Sequence, residues 1–357
     1  IIATTTAQWN IMRGKKSVGY IKNLRDEPGV RVMAKPMGVI GCVMPSTNPV
    51  ATIIGNAMMA LKGRNSVIIA PHPMSVRLSV KMVKLLREAL ESVGAPADLI
   101  QCISEEYASR EATNLMMSTC DACISTGGAG RVKAAYSSGK PAFGVGQGNV
   151  QEIVDLGISD AELERQATLC VAHRAKDNGV PCAGAQTVHI HAQQLEQWKG
   201  YMQEHGAFLI DKDEDIAALR ALVFPDGGTK LNRAVVGKFP YQVGEMCGLN
   251  IPETAKIMLV KNQAWGEAEV LCREILFPIV RYTVYEKFED AVDRAVANLE
   301  VEGAGHTSTL WTTNDDHVEY AAKRIPVGRF HINQPTMGGR IPIITSITIG
   351  CGTWGGN

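Results

Sequence analysis

From residue 37 to 155 the chain alternates short apolar runs with segments of helical length, and few folds tolerate that rhythm. GVIGCVM precedes a helix predicted over Pro49–Lys62, SVIIA one from Ser75 to Val93, LIQCI one near 110–118, DACIST one near 130–137, and PAFGV closes the series. Parallel neighbours need a long crossover, so strand followed by helix, repeated, predicts a parallel sheet with helices on both faces. Turn chemistry agrees: Asn48 stands as a cap before Pro49, whose fixed φ and missing N–H suit the first helical position.

A second α/β block opens at Ser159 with SDAE, a capping box, and its helix is predicted to run toward Asn178. QTVHIH follows as an alternating strand, then helices near 193–205 and 213–223, the runs KIMLV and FPIVRYTVY, and a helix from Phe288 to Leu299. A chain of 357 residues that is 45% hydrophobic can bury two cores. The expected division is therefore a first domain over 1–155, a second over 156–335, and a segment 336–357 that returns to the first domain or to an oligomer interface. No internal repeat or low-complexity tract interrupts either block.

Lys plus Arg and Asp plus Glu are balanced at 36 each, which disfavours nucleic acid or an anionic membrane as a partner; any anion selectivity must be local. No apolar run reaches spanning length and no charged-then-apolar leader is seen, so a cytoplasmic protein is expected. The nine cysteines are odd in number and scattered, and only Cys120 and Cys123 form a C-x-x-C, with no second pair nearby. Reduced thiols and no metal site are the expectation.

One cysteine differs from the rest. In NGVPCAGAQ, Cys182 is surrounded by turn-formers and small residues that leave the backbone bare around the sulfur, as a reactive thiol requires. Glycines also cluster at STGGAG, between a predicted strand and helix, and at GVGQGN. A bare strand-to-helix turn lets backbone N–H groups approach a pyrophosphate, although tight turns without a ligand look the same.

Six stretches in order, PSTNP, STGGAG, KAAYSSGKPAFGVGQGN, DNGVPCAGAQ, EGAGHTS and GCGTWGGN, together resemble the CoA-acylating branch of the aldehyde dehydrogenase superfamily over nearly the whole chain. Acylating succinate-semialdehyde dehydrogenases are the nearest in pattern, then acylating sulfoacetaldehyde dehydrogenases and the aldehyde half of the bifunctional aldehyde-alcohol enzymes. The resemblance implies an aldehyde dehydrogenase-like α/β fold, with a Rossmann-type cofactor domain and an α/β catalytic domain. Relative to the family, an amino-terminal helical segment and a carboxy-terminal tail are expected to be missing. It also implies NAD or NADP as cofactor, coenzyme A as co-substrate, and a homodimer or larger homo-oligomer, free in the cytoplasm or packed in a bacterial microcompartment.

By the same resemblance, Cys182 falls on the nucleophile and Asn48 on the asparagine whose amide stabilises the oxyanion, if it is not merely a helix cap. Thr126, Gly127, Gly128, Gly130 and Gly146, with Pro71 and His72, fall on the cofactor approach, and Glu274 in REILFP on the carboxylate that holds the nicotinamide ribose. His306 either orients CoA or nicotinamide or packs as a core imidazole. Hydrolytic relatives carry a water-activating glutamate where this chain has Gly144, and its loss favours the CoA thiol over water as acyl acceptor. Arg174 and Lys176, in the helix before the cysteine, either read the far anion of a short aldehyde or lie on a solvated face.

Three departures from the family stand out: Ala185 where a glutamate is usual, Ala70 where hydrolytic members have the adenosine-ribose lysine, and a short stretch between 338 and 352. The expected reaction interconverts succinyl-CoA and succinate semialdehyde through a cysteinyl thioester. Its rivals are sulfoacetaldehyde or a short-chain aldehyde such as acetaldehyde as substrate and, from another class, an inactive scaffold or assembly subunit.

Overall fold

The computed structural model describes residues 2–21 and 29–337. After an amino-terminal helix (Ile2–Met12), β1 (Gly19–Ile21) and β2 (Val32–Ala34) pair as a short antiparallel ribbon. The chain then forms two compact units, divided after Gly146.

The first unit holds β3 (Val39–Val43), β4 (Ser66–Ala70), β5 (Ile100–Cys102), β6 (Ala122–Thr126) and β7 (Ala142–Val145). They make a five-stranded parallel sheet in the order β5-β4-β3-β6-β7. The helix Pro49–Lys62 lies where the sequence predicts it and buries Ile53, Ala57 and Ala60, a stripe at helical spacing, in the cluster with Ile40, Val67 and Ile69. Strand order reverses between β3 and β6, so their carboxyl ends flank the crevice where such sheets take ligands.

The second unit holds β8 (Val150–Val154), β9 (Ala185–His191), β10 (Ala207–Ile210), β11 (Ile257–Lys261), β12 (Ile279–Tyr285), β13 (Gly305–Trp311) and β14 (Val327–Ile332). All pair in parallel, in the order β10-β11-β12-β9-β8-β13-β14. Every residue of β9 and of β13 is buried. Helices Asp160–Ala175 and Leu195–Glu204 cover one face through Leu163, Ala167, Cys170 and Trp198, while Phe288–Val301 covers the other through Ala291, Val292 and Ala295.

Three expectations change. Residues 150–154 were expected to close the first domain, but β8 pairs with β9 and β13 and belongs to the second sheet. The helix expected to reach Asn178 stops at Ala175, because Asp177, Asn178 and Gly179 all adopt left-handed conformations (φ 47°, 50° and 68°) that no α-helix can contain. Half of the Ser159 capping box forms: the serine Oγ accepts the Glu162 N–H at 3.2 Å, while the Glu162 carboxylate pairs with Arg165 at 2.8 Å. Most of the expected segment 336–357, with GCGTWGGN, lies outside the described residues.

Candidate active site

Cys182 sits three residues before β9, on a loop whose shape follows from the turn that precedes it. Asp177 and Asn178 are not glycine, so holding them left-handed costs about 1 kcal/mol each or more. That conformation is enforced from outside. The Asn178 amide donates to the Gly237 carbonyl at 3.0 Å, and Gly179 packs so closely on the backbone of Phe277 and Pro278 that a Cβ there would collide with both. The chain then passes through Val180 and Pro181 to a half-buried Cys182, and the Gly184 N–H closes the turn on the Pro181 carbonyl at 3.2 Å.

Cys182 belongs to a cluster of segments that each precede a strand: 147–149 before β8, 180–184 before β9, 273–278 before β12 and 302–304 before β13. Those four strands are adjacent in the sheet, so their leading segments are neighbours at its amino-terminal edge. Gly148 lies at the centre. Its N–H donates to Glu274 Oε1 at 2.7 Å, and a Cβ at this position would strike the carbonyl of Cys182. Glu302 accepts the Glu274 N–H at 2.6 Å on one oxygen and the Gln147 amide on the other.

Beneath this cluster run buried cations. Arg174 is fully buried and donates to three backbone carbonyls, those of Ile279 at 2.9 Å, Phe277 at 2.8 Å and Ile275, so it fixes the segment leading into β12. Gln186 grips the same segment at both Ile275 N and O (3.2 and 3.1 Å), and Arg281 donates to Gln186 Oε1 at 2.5 Å and to the Arg273 carbonyl at 2.9 Å. Burial pushes Arg174 down to about 9 and Arg281 to about 10, so both stay protonated at neutral pH. Burial also pushes Glu274 up to about 7; the Gly148 N–H opposes that, Glu302 adds to it as a like charge, and Arg174 and Arg281 oppose it more weakly.

The geometry bears on several of the expectations. Arg174 is not a solvated residue: it is fully buried, with Nε and Nη2 committed to the 275–279 backbone, while its buried Nη1 has no hydrogen-bond partner among the described residues. Lys176 is exposed just after that helix ends. His306 is a packed imidazole: it is 3% exposed, and its Nδ1 lies 2.9 Å from Thr307 Oγ1. That oxygen accepts from Arg329 Nε and Nη2 at 2.8 and 2.6 Å, so its proton goes to His306 Nδ1, and burial holds the ring neutral with its pKa down to about 3. Ala185 opens β9 inside the apolar cluster, and Ala70 closes β4 fully buried.

In the first unit the other predicted residues gather at the carboxyl edge of the sheet. Asn48 follows β3, Pro71 and His72 follow β4, Thr126 closes β6 with Gly127 to Gly130 after it, and Gly146 follows β7. Asn48 precedes its helix, but its side chain makes no capping hydrogen bond, so the amide is not spent on the helix end. The His72 Nδ1 accepts the Met74 N–H at 3.2 Å. Gly128 and Gly130 open the helix Ala129–Tyr136, and a Cβ added at either would meet nothing within 4 Å, which leaves bare backbone suited to a pyrophosphate. Gly144 is the opposite case: a side chain there would collide with Val132 and the Tyr136 ring, whose hydroxyl accepts the Gly144 N–H at 3.0 Å.

The family model for the aldehyde dehydrogenases matches residues 3–213. A succinate-semialdehyde dehydrogenase (acetylating) of Clostridium kluyveri is 41% identical over 355 residues, which cover 98% of this chain and 77% of that protein. An acetylating aldehyde dehydrogenase from Geobacillus thermoglucosidasius matches with a TM-score of 0.90 and 32% identity, over 99% of this chain and 78% of that one. The Rhodopseudomonas palustris propionaldehyde dehydrogenase, solved with bound CoA and an acylated cysteine, gives a TM-score of 0.76 and 30% identity over 86% of this chain and 68% of that one.

Proposed function

The chain belongs to the aldehyde dehydrogenase family, in its CoA-acylating branch, and from that premise we propose that it interconverts an aldehyde and its acyl-CoA through a thioester on Cys182. The observation that carries this reading is the pairing of a cysteine held on a forced left-handed turn with a position 144 that has no room for a side chain. The Cys182 thiolate adds to the aldehyde carbon, and the Asn48 amide stabilises the oxyanion, a contribution of about 3 kcal/mol per donor in comparable sites. When bound, the nicotinamide accepts the hydride. Glu274 holds its ribose, and the bare turn at Thr126, Gly127, Gly128 and Gly130 admits its pyrophosphate. With no carboxylate at 144 to activate water, the CoA thiol takes the acyl group from sulfur.

For the acyl group we favour succinate semialdehyde and succinyl-CoA. Arg174 spends Nε and Nη2 on backbone carbonyls and keeps only a buried Nη1 without a hydrogen-bond partner among the described residues, so that choice rests on the Clostridium relative. Sulfoacetaldehyde and acetaldehyde remain the rivals. NAD and NADP are both admitted, a homo-oligomer is the proposed assembly, and among the described residues no helix is long and apolar enough to cross a membrane.

The test is NAD(P)H formation with succinate semialdehyde, sulfoacetaldehyde and acetaldehyde, each with and without CoA, for the native protein and Cys182→Ala, with intact-mass detection of the acylated enzyme. Turnover that requires both CoA and Cys182, with an acyl adduct on native protein alone, is expected. CoA-independent turnover would move the chain to the hydrolytic branch, and its absence under every condition would favour the scaffold reading.

A further inference from the structure

We propose that Glu302 is a positioning residue for the nicotinamide cofactor: it holds Glu274 and the 147–149 segment in place and tunes the charge that Glu274 offers the ribose. The proposal rests on the reading of Glu274 as the ribose-holding carboxylate. Glu302 caps the helix Phe288–Val301, 28 residues beyond Glu274, and three of its atoms act on the site. Its Oε2 takes the Glu274 N–H, its Oε1 takes the Gln147 amide, and its backbone carbonyl takes the Asn149 amide at 2.8 Å. One residue thus ties the helix end, the Gly148 segment and the Glu274 segment together. Gly303 adds to the same junction, since a Cβ there would press on Asn149 and on the Gly148 carbonyl.

The charge argument follows from what faces Glu274. Arg174 approaches from the helix Asp160–Ala175, Arg281 from β12, and Glu302 from the end of the helix Phe288–Val301. Glu302 is itself faced by Arg273 and Arg281, and burial raises its own pKa. After burial, which raises the Glu274 pKa, and the Gly148 N–H, which lowers it, the like charge of Glu302 outranks either arginine. A carboxylate accepts both ribose hydroxyls, whereas a protonated acid gives up part of that acceptance. Glu302 therefore trades a rigid frame against a Glu274 that loses its charge near neutral pH.

The test measures NADH and NADPH binding directly, by fluorescence titration of the full chain across about pH 5.5 to 8.5, in native protein, Glu302→Gln, Glu302→Ala and Glu274→Gln. The Gln variant keeps an oxygen for the Glu274 N–H, and Gln147 can turn its own carbonyl toward the new amide, so shape is kept and charge removed. Native affinity is expected to fall as pH drops through about 7 and to level off at the weaker affinity of the protonated acid. Glu302→Gln shifts that midpoint down and binds several-fold tighter than native at about pH 6, with equal affinity at pH 8. Glu302→Ala binds several-fold more weakly throughout; should it fail to fold, the Gln variant decides alone. A Gln variant with the native midpoint overturns the proposal. If Glu274→Gln binds like native at pH 8, the ribose reading is wrong and the proposal falls with it. If Glu274→Gln binds poorly while Glu302→Gln tracks native, only the role of Glu302 is lost.

Discussion

The carboxyl edge of the five-stranded sheet and the amino edge of the seven-stranded sheet both carry glycines and both are assigned chemistry, yet they are built in opposite ways. At the first, Gly128 and Gly130 border open space and the Asn48 side chain is unspent on its helix. At the second, Gly148 and Gly179 are walled in by backbone, and Arg174, Gln186 and Arg281 commit most of their polar atoms to the frame, leaving Arg174 Nη1 and Arg281 Nε without hydrogen-bond partners among the described residues. A backbone cradle for a phosphate needs only accessible N–H groups, which local conformation supplies. A nucleophile must be held in one geometry, and that takes a buried polar network whose partial loss is costly. Substitutions matched between the two regions should therefore differ in their effect on folding.

The largest difference is expected between two arginines. Arg174→Met leaves the carbonyls of Ile275, Phe277 and Ile279 without their donor, at a cost of about 3–5 kcal/mol, partly offset by removing a buried charge. Arg131 lies beside the first region and, among the described residues, its guanidinium reaches the Met44 carbonyl at 3.4 Å and no other acceptor, so Arg131→Met should cost less than about 1 kcal/mol. Chemical denaturation of both variants checks this, and equal losses would erase the contrast. A second consequence separates the frame from substrate reading: Arg174→Met should lose turnover alike for charged and uncharged aldehydes.

Next come the glycines. Gly148→Ala drives a methyl into the Cys182 carbonyl and toward Glu274, for about 1–3 kcal/mol of stability and a large loss of turnover as the nucleophile shifts. Gly128→Ala meets nothing within 4 Å and should leave stability unchanged within about 0.5 kcal/mol while weakening cofactor binding. Denaturation midpoints beside cofactor KM for the two variants decide it.

A smaller effect, with a pH signature, lies within β8. Glu152 is buried, its Oε2 accepts the Gln166 amide at 2.7 Å, and burial pushes its pKa up to about 7. A raised carboxyl pKa means that the folded state favours the neutral acid. Stability is then full below the unfolded value of 4.5 and falls as pH rises through about 7. Glu152→Gln cannot ionise and keeps an oxygen for Gln166. It should match native protein at about pH 4.5 and exceed it by about 1–3 kcal/mol at pH 8. A gain that does not vary with pH would show that the carboxylate is not desolvated in the folded state.

The same contrast decides what the sequence could disclose. Both sheets were legible because their strands and helices follow local periods, and Pro49–Lys62 was read to the residue from its cap, its proline and its apolar stripe. The turn that carries Cys182 was legible because turn-formers bracket it. The frame around it was not, since Gln147 and Glu302 are 155 residues apart and Arg174 reaches carbonyls more than 100 residues away. No local pattern encodes such a pair. Polar residues inside QTVHIH and VRYTVY were the available signal, because a buried Gln or Arg must have partners, but they do not say which. The left-handed DNG turn was also visible in residue type, yet Asp and Asn tolerate that conformation without requiring it.

The smallest expected effect on stability is also the sharpest test of Asn48. Ser159 and Asn48 both precede helices, but only Ser159 accepts a backbone N–H there, at 3.2 Å from Glu162 N. Ser159→Ala should therefore cost about 1 kcal/mol, and Asn48→Ala no more than a few tenths. If Asn48 is the oxyanion donor, the order reverses in turnover: Asn48→Ala should lose about 10²-fold in kcat while Ser159→Ala keeps native activity. Were Asn48→Ala to cost as much stability as Ser159→Ala with turnover unchanged, its amide would belong to the helix and not to the chemistry, and the oxyanion would need another donor.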